Sequence, residues 1–126
     1  MVRDVFIYLC AILLVVTSLV HSILGEEKLI KPLMEQTEGI LRHKLARFLL
    51  RFAWHVTSLA WTNLAAILIV LVIAPENALK LSLLITGTNF LIVGVFDAFA
   101  SRGKHIGAWM LGAIGICGLV AYFCCG

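Results

Sequence analysis

A chain of 126 residues that is 62% hydrophobic and 13% charged cannot clothe an apolar core in polar surface, since soluble domains hold roughly 45–50% apolar and about 25% charged residues. That balance excludes an ordinary soluble domain and makes lipid the solvent for most of the chain. The formal charge of +3 is too small to point to nucleic acid and acts through its location instead.

Residues 5–24 form the first apolar run (VFIYLCAILLVVTSLVHSIL). A helix needs about 20 apolar residues to cross the hydrocarbon core. A signal peptide has a shorter apolar core and a small-x-small cleavage site, so the run reads as a retained span. Gly25 is expected to close it. Glu26 to Gly39 reads as a polar connector in which Pro32 suits the first turn of a short helix. Leu29, Ile30, Leu33 and Met34 fall at helical spacing there, which lays this piece on the membrane surface with those four side chains in the interface.

The helical period returns at Ile40, where Leu41, Leu45, Phe48 and Phe52 share one face. Arg42, Lys44, Arg47 and Arg51 flank it and offer a surface to anionic headgroups or a cytosolic partner. This segment runs into a second span that Pro75 stops. Short turns at 75–77 and 101–104 lead to spans over residues 78–99 and 105–123. The fold class is an all-α integral membrane protein, a four-helix up-down-up-down transmembrane bundle. A short interfacial amphipathic segment (26–44) separates its first two helices, and residues 1–126 form one domain.

Lys28, Lys31, Arg42, Lys44, Arg47, Arg51, Arg102 and Lys104 fall on the side of the first and third connections, and Arg3 and Lys80 on the other. Basic excess marks the cytoplasmic face, so both termini are expected outside, or in the periplasm of a bacterium.

The last span carries Gly107, Gly112, Gly115 and Gly118 with Ala108 and Ala113, and Ala108-x-x-x-Gly112 is a small-x-x-x-small pair. Close backbone approach supplies association energy in lipid, where little hydrophobic drive exists between helices. Ala108, Gly112, Gly115 and Gly118 are therefore the expected packing residues, within the bundle first, and as a homo-oligomer or partner face second.

Polar residues inside a bilayer usually face protein or water. Cys10, Thr17 and His21 share a face of the first span. Arg51, His55, Ser58 and Thr62 share one on the second, and Ser82, Thr86, Asn89 and Asp97 one on the third. His21, His55, Asp97 and His105 all fall near the cytoplasmic boundary, with Glu26 one turn beyond His21. A carboxylate at a helix C-terminus meets the negative end of the macrodipole and needs a cation beside it. Arg102, Lys104, His105 or a bound metal are the candidates for Asp97.

This cluster admits three readings. Its members are interfacial groups wetted by headgroup water; or His21, His55, Asp97, His105 and Glu26 hold a divalent transition metal or an exchangeable proton; or His21 and His55 ligate a haem iron axially. The first is preferred, because the chain has no HExxH, Cys-x-x-Cys or paired Glu-x-x-His motif. Trp54 and Trp109 read as interfacial anchors and Trp61 as packing. Cys10 and Cys117 read as small core residues or a redox pair, and Cys124 and Cys125 as an exposed pair.

No nucleophile–base pair or phosphate loop is visible. The leading functional expectation is a non-catalytic accessory subunit of a membrane assembly. A metal-, haem- or proton-binding bundle comes second, and a small oligomeric transporter or channel third.

Overall fold

A computed structural model describes residues 2–124, and among them it is 92% helical with no strand. The helices are α1 (Val2–Gly25), α2 (Lys31–Glu35), α3 (Lys44–Ile73), α4 (Ala78–Ala100) and α5 (Ile106–Cys124). Four helical runs among the described residues are long and apolar enough to cross a membrane: Val2–Glu35, Lys44–Ile73, Pro75–Ala100 and Ile106–Cys124.

Gly25 does not close the first helix. Its backbone stays right-handed at φ −65°, ψ −41°, and the chain passes through a π-helical turn, Glu26–Ile30, directly into α2. Pro32 falls in the first turn of α2, directly after the π turn. Gly25 is glycine because of what lies on it: a methyl there would stand 2.4 Å from the Trp54 ring. The connector is thus mostly a helical extension. Ile30 is buried, whereas Leu29 is 57% exposed, so the four apolar side chains of this piece do not share one environment.

The chain then turns through Gly39, at φ +56°, and a 3-10 turn, Gly39–Arg42. The next helix begins at Lys44, four residues after the expected Ile40, with His43 extended at its N-cap.

The long helices pack in series: α1 on α3, α3 on α4 and α4 on α5. The buried positions that make this possible are small and recur every seven residues. They are Ala11, Ser18 and Gly25 on α1; Ser58 and Ala65 on α3; Gly87 and Gly94 on α4, with Ser101 just beyond it; and Ala108 and Gly115 on α5. α3, between two neighbours, carries a second seven-residue pair, Asn63 and Val70.

Position numbers fall along each helix as they rise along its neighbour. Ser18 meets Ser58, Ser22 meets His55 and Glu26 meets Arg51. Asn63 meets Thr86, and Phe52 meets Phe96. The backbone at Gly87 faces Gly118 and Leu119, Gly115 faces Leu91, and Gly94 faces Gly112 and Ala108. Glycine at these points lets α4 and α5 approach at backbone distance, where dispersion contacts accumulate without ordering long side chains.

The four expected packing residues of α5 are not equivalent. Ala108 and Gly115 are buried, and a methyl at Gly115 would meet Leu91 at 2.4 Å. Gly118 lies against Gly87. Gly112 is different: a methyl on it would meet nothing within 4 Å, while a methyl on Gly94 would strike the Gly112 amide nitrogen at 2.4 Å. The crowding at this crossing falls on the α4 side.

Candidate functional site

Three polar knots fasten the helices. The first joins α1 to α3. Ser18 and Thr62 both donate to the Ser58 carbonyl, at 2.8 and 3.0 Å, and their hydroxyls stand 3.0 Å apart. One turn toward the basic end, Ser22 Oγ lies 2.7 Å from His55 Nδ1. Glu26 reaches back from the π turn to Arg51, at 2.9 Å. Its other oxygen is 3.4 Å from His55 Nε2, close enough for charge attraction but not aligned as a hydrogen bond. A carboxylate on that side favours the proton on Nε2, which leaves Nδ1 to accept from the Ser22 hydroxyl in the neutral ring.

Beside this knot the His21 imidazole stacks on Trp54, with centroids 4.0 Å apart and planes 10° apart, and meets Trp61 edge-on at 5.0 Å. Trp54 Nε1 donates to the His21 carbonyl at 3.0 Å. His21 Nε2 is sealed from solvent with no hydrogen-bond partner.

The second knot joins α3 to α4 in mid-helix. Asn63 donates to Thr86 Oγ1 at 3.1 Å and accepts from Asn89 at 2.9 Å. Each amide thereby satisfies part of its need without water, which is how polar residues hold helices together in apolar surroundings.

The third closes the turn between α4 and α5. Asp97 is wholly buried, and its Oδ2 pairs with His105 Nδ1 at 2.5 Å. Of the partners the sequence offers to this carboxylate, His105 is in contact with it. Ser101 Oγ accepts from the His105 backbone N–H at 3.4 Å. Asp97 Oδ1 is buried without a partner.

The four expected cluster residues therefore lie at one end of the molecule but do not converge. Glu26, Arg51 and His55 gather on the α1–α3 seam, and Asp97 and His105 on the α4–α5 turn. Phe52 stands between, 6.1 Å from Phe96 and 6.5 Å from His105, centroid to centroid. Among the described residues no three His, Cys, Asp or Glu side chains are grouped to hold a metal ion. His21 is packed as an aromatic ring between two tryptophans, which sets it apart from His55 rather than facing it across a ligand.

Other readings shift by similar amounts. Cys10 and Thr17 point outward, and the inward stripe of α1 is Ala11, Ser18 and Ser22, one position on. Asn63 lies off the expected polar face of α3; its signal in the sequence is an amide at the start of the apolar run 64–73. Trp54 is a packing residue as much as an anchor. Trp109 is 63% exposed, and its Nε1 donates to the Gly103 carbonyl at 3.4 Å. Cys10, Cys117 and Cys124 are free and exposed rather than core residues; Cys125 lies outside the described residues. Arg42, Lys44 and Arg51 are exposed and Arg47 partly so, along the start of α3.

Compared with known proteins, the chain matches no family model, no curated protein and no solved structure.

Proposed function

We propose that this chain is an integral membrane protein crossing the bilayer four times in up-down-up-down order, and that it acts as a non-catalytic interaction subunit of a membrane assembly. The 25–51 and 100–104 connections lie on the cytoplasmic side. Support for the crossing comes from the four long apolar helices, and for the alternation from the register of each packed pair. Support for the orientation is the gathering of eight Lys and Arg at one end.

The observation that carries the subunit reading is where the polar groups go. Among the described residues they close in pairs on neighbouring helices of the same chain, α1 with α3, α3 with α4 and α4 with the turn before α5. Outward they leave broad hydrocarbon faces, including Trp109, Met110, Ile114, Val120 and Phe123 on α5. Faces of that kind are covered by lipid or by another membrane helix.

The test reads the size of the chain's own assembly in gently solubilised native membranes. Met110→Trp and Ile114→Trp, at exposed positions of α5, are expected to reduce it to the single chain, while His55→Ala leaves the size unchanged. A wild-type chain that migrates alone would overturn the reading. A C-terminal tag cut by external protease supports the orientation, and a protected tag reverses it.

A second reading, a metal or proton site, is favoured by one feature: Asp97 Oδ1 and His21 Nε2 are buried polar atoms without partners, and such atoms call for an explanation. Stoichiometric metal in the purified protein would establish it; a metal-free protein whose stability ignores added divalent ions would remove the metal half.

A further inference from the structure

Two adjoining pockets between the start of α3 and the end of α4 share Phe48 as a wall, which makes them the two compartments of a candidate cleft. The inner compartment is a groove of about 330 Å³ walled by Phe52, Val56, Leu59, Val93 and Phe96, with Arg51 and His55 on its rim. The outer one is a recess of about 390 Å³ that holds Lys44, Arg102 and Lys104 and no carboxylate. All three cations are exposed. Among the described residues the Asp and Glu side chains seen in ion pairs nearby are engaged elsewhere: Glu26 with Arg51 and His55, Asp97 with His105.

Arg102 is held in place at a cost. The end of α4 is a Schellman cap: the Gly103 N–H donates to the Ala98 carbonyl and the Arg102 N–H to the Phe99 carbonyl. The left-handed position of that motif normally belongs to glycine, yet Arg102 occupies it at φ 54°. A side chain there strains the backbone, because its Cβ crowds the following carbonyl. Gly103 follows immediately, also left-handed at φ 70°. The sequence thus has a glycine one residue late and a guanidinium on the lip of the recess.

We infer that this cleft binds one anionic phospholipid, with its phosphate among Lys44, Arg102 and Lys104 and one acyl chain along the groove beyond Phe48. The inference rests on the membrane reading above. Two features select this occupant. Cations that form no ion pair among the described residues, beside a largely apolar wall, complement an anionic head on a hydrocarbon tail. The length also fits: Phe48 to Leu59 spans about 16 Å of helix, against about 15 Å for the hydrocarbon of one leaflet. A free phosphate would use only the recess, and a zwitterionic lipid would bring its own cation to a site already basic.

The test uses the full chain, delipidated and returned to nanodiscs of phosphatidylcholine alone or with phosphatidylglycerol. Retained lipid is counted by native mass spectrometry and Tm is measured in parallel. The wild type is expected to keep one phosphatidylglycerol per chain and to melt higher with it. Inorganic phosphate in phosphatidylcholine discs should give no such rise. Each cation removed should weaken retention about fivefold, so Lys44→Gln/Lys104→Gln falls further than Arg102→Gly. Arg102→Gly also serves as the folding control, because it relieves the strained cap and melts no lower than wild type in phosphatidylcholine. Equal retention of both lipids, a Tm rise with phosphate alone, or Arg102→Gly and Lys44→Gln/Lys104→Gln variants that hold phosphatidylglycerol as tightly as wild type would each overturn the proposal. Release of the chain from native membranes by carbonate would instead overturn the membrane reading beneath it.

Discussion

Trp54 covers two successive turns of α1: its indole lies face to face with the His21 ring, and its benzo edge fills the space where Gly25 has no side chain. The two contacts are four residues apart, so one rigid ring reads one face of a helix. Trp54 Nε1 adds a bond to the His21 carbonyl, which keeps the indole from sliding along α1.

Gly25→Ala is expected to displace Trp54 and destabilise the protein by about 1–3 kcal/mol, the usual cost of overpacking. This loss would exceed any gain from alanine's better helix propensity, about 1 kcal/mol. Thermal unfolding in detergent, followed by tryptophan fluorescence, checks it. An unchanged melting point with an unshifted emission spectrum would mean the indole does not rest there.

The α4–α5 crossing supplies an asymmetric pair. Gly94→Ala should cost about 1–3 kcal/mol, because its methyl meets backbone that cannot rotate away. Gly112→Ala should be neutral or stabilising by up to about 1 kcal/mol. Comparing the two unfolding curves is enough; equal losses at both positions would refute the register of this pair.

Asn63 is expected to contribute through both of its bonds. Asn63→Ala should lower stability by about 0.6 kcal/mol, and by no more than about 1.7 kcal/mol, for each bond lost, the average and maximum found for hydrogen bonds between membrane helices. A double-mutant cycle of Asn63→Ala with Asn89→Ala should return a coupling of about 0.6 kcal/mol or more. A coupling of zero would show that the amides do not meet.

At the α4–α5 turn, His105→Ala leaves a wholly buried carboxylate without its partner, and breaking a buried pair on one side costs about 3–5 kcal/mol. Removing both partners, as Asp97→Leu/His105→Leu, should cost less than the single His105→Ala change, since no orphaned charge remains. Chemical denaturation of the two variants in one detergent gives the comparison, and a double variant less stable than the single one would contradict it.

Much of the helical frame was readable in advance because apolar runs of span length and a proline stop are one-dimensional signals. Depth was readable too: positions 21, 55, 97 and 105 do fall at one end. Direction around the helix was not. Whether His55 meets Asp97 depends on which helices are neighbours, and the series α1, α3, α4, α5 puts Phe52 between them. Gly25 misled for a related reason. A glycine after an apolar run looks like a helix end, and only the partner across the seam, Trp54, reveals it as a contact. On α1 polarity points to Cys10 and Thr17, whereas packing selects small size one residue on, at Ala11 and Ser18.

The seven-residue recurrence of small buried positions has a geometric result. A straight α-helix falls behind such a repeat by about 20° every two turns. Keeping Ala11, Ser18 and Gly25 on one seam favours a left-handed winding of α1 about α3, and the repeats at 87 and 94 and at 108 and 115 favour the same for α4 and α5. One extra residue in any of these helices would swing everything after it by about 100°, carrying serine and glycine out of the seam and leucine into it.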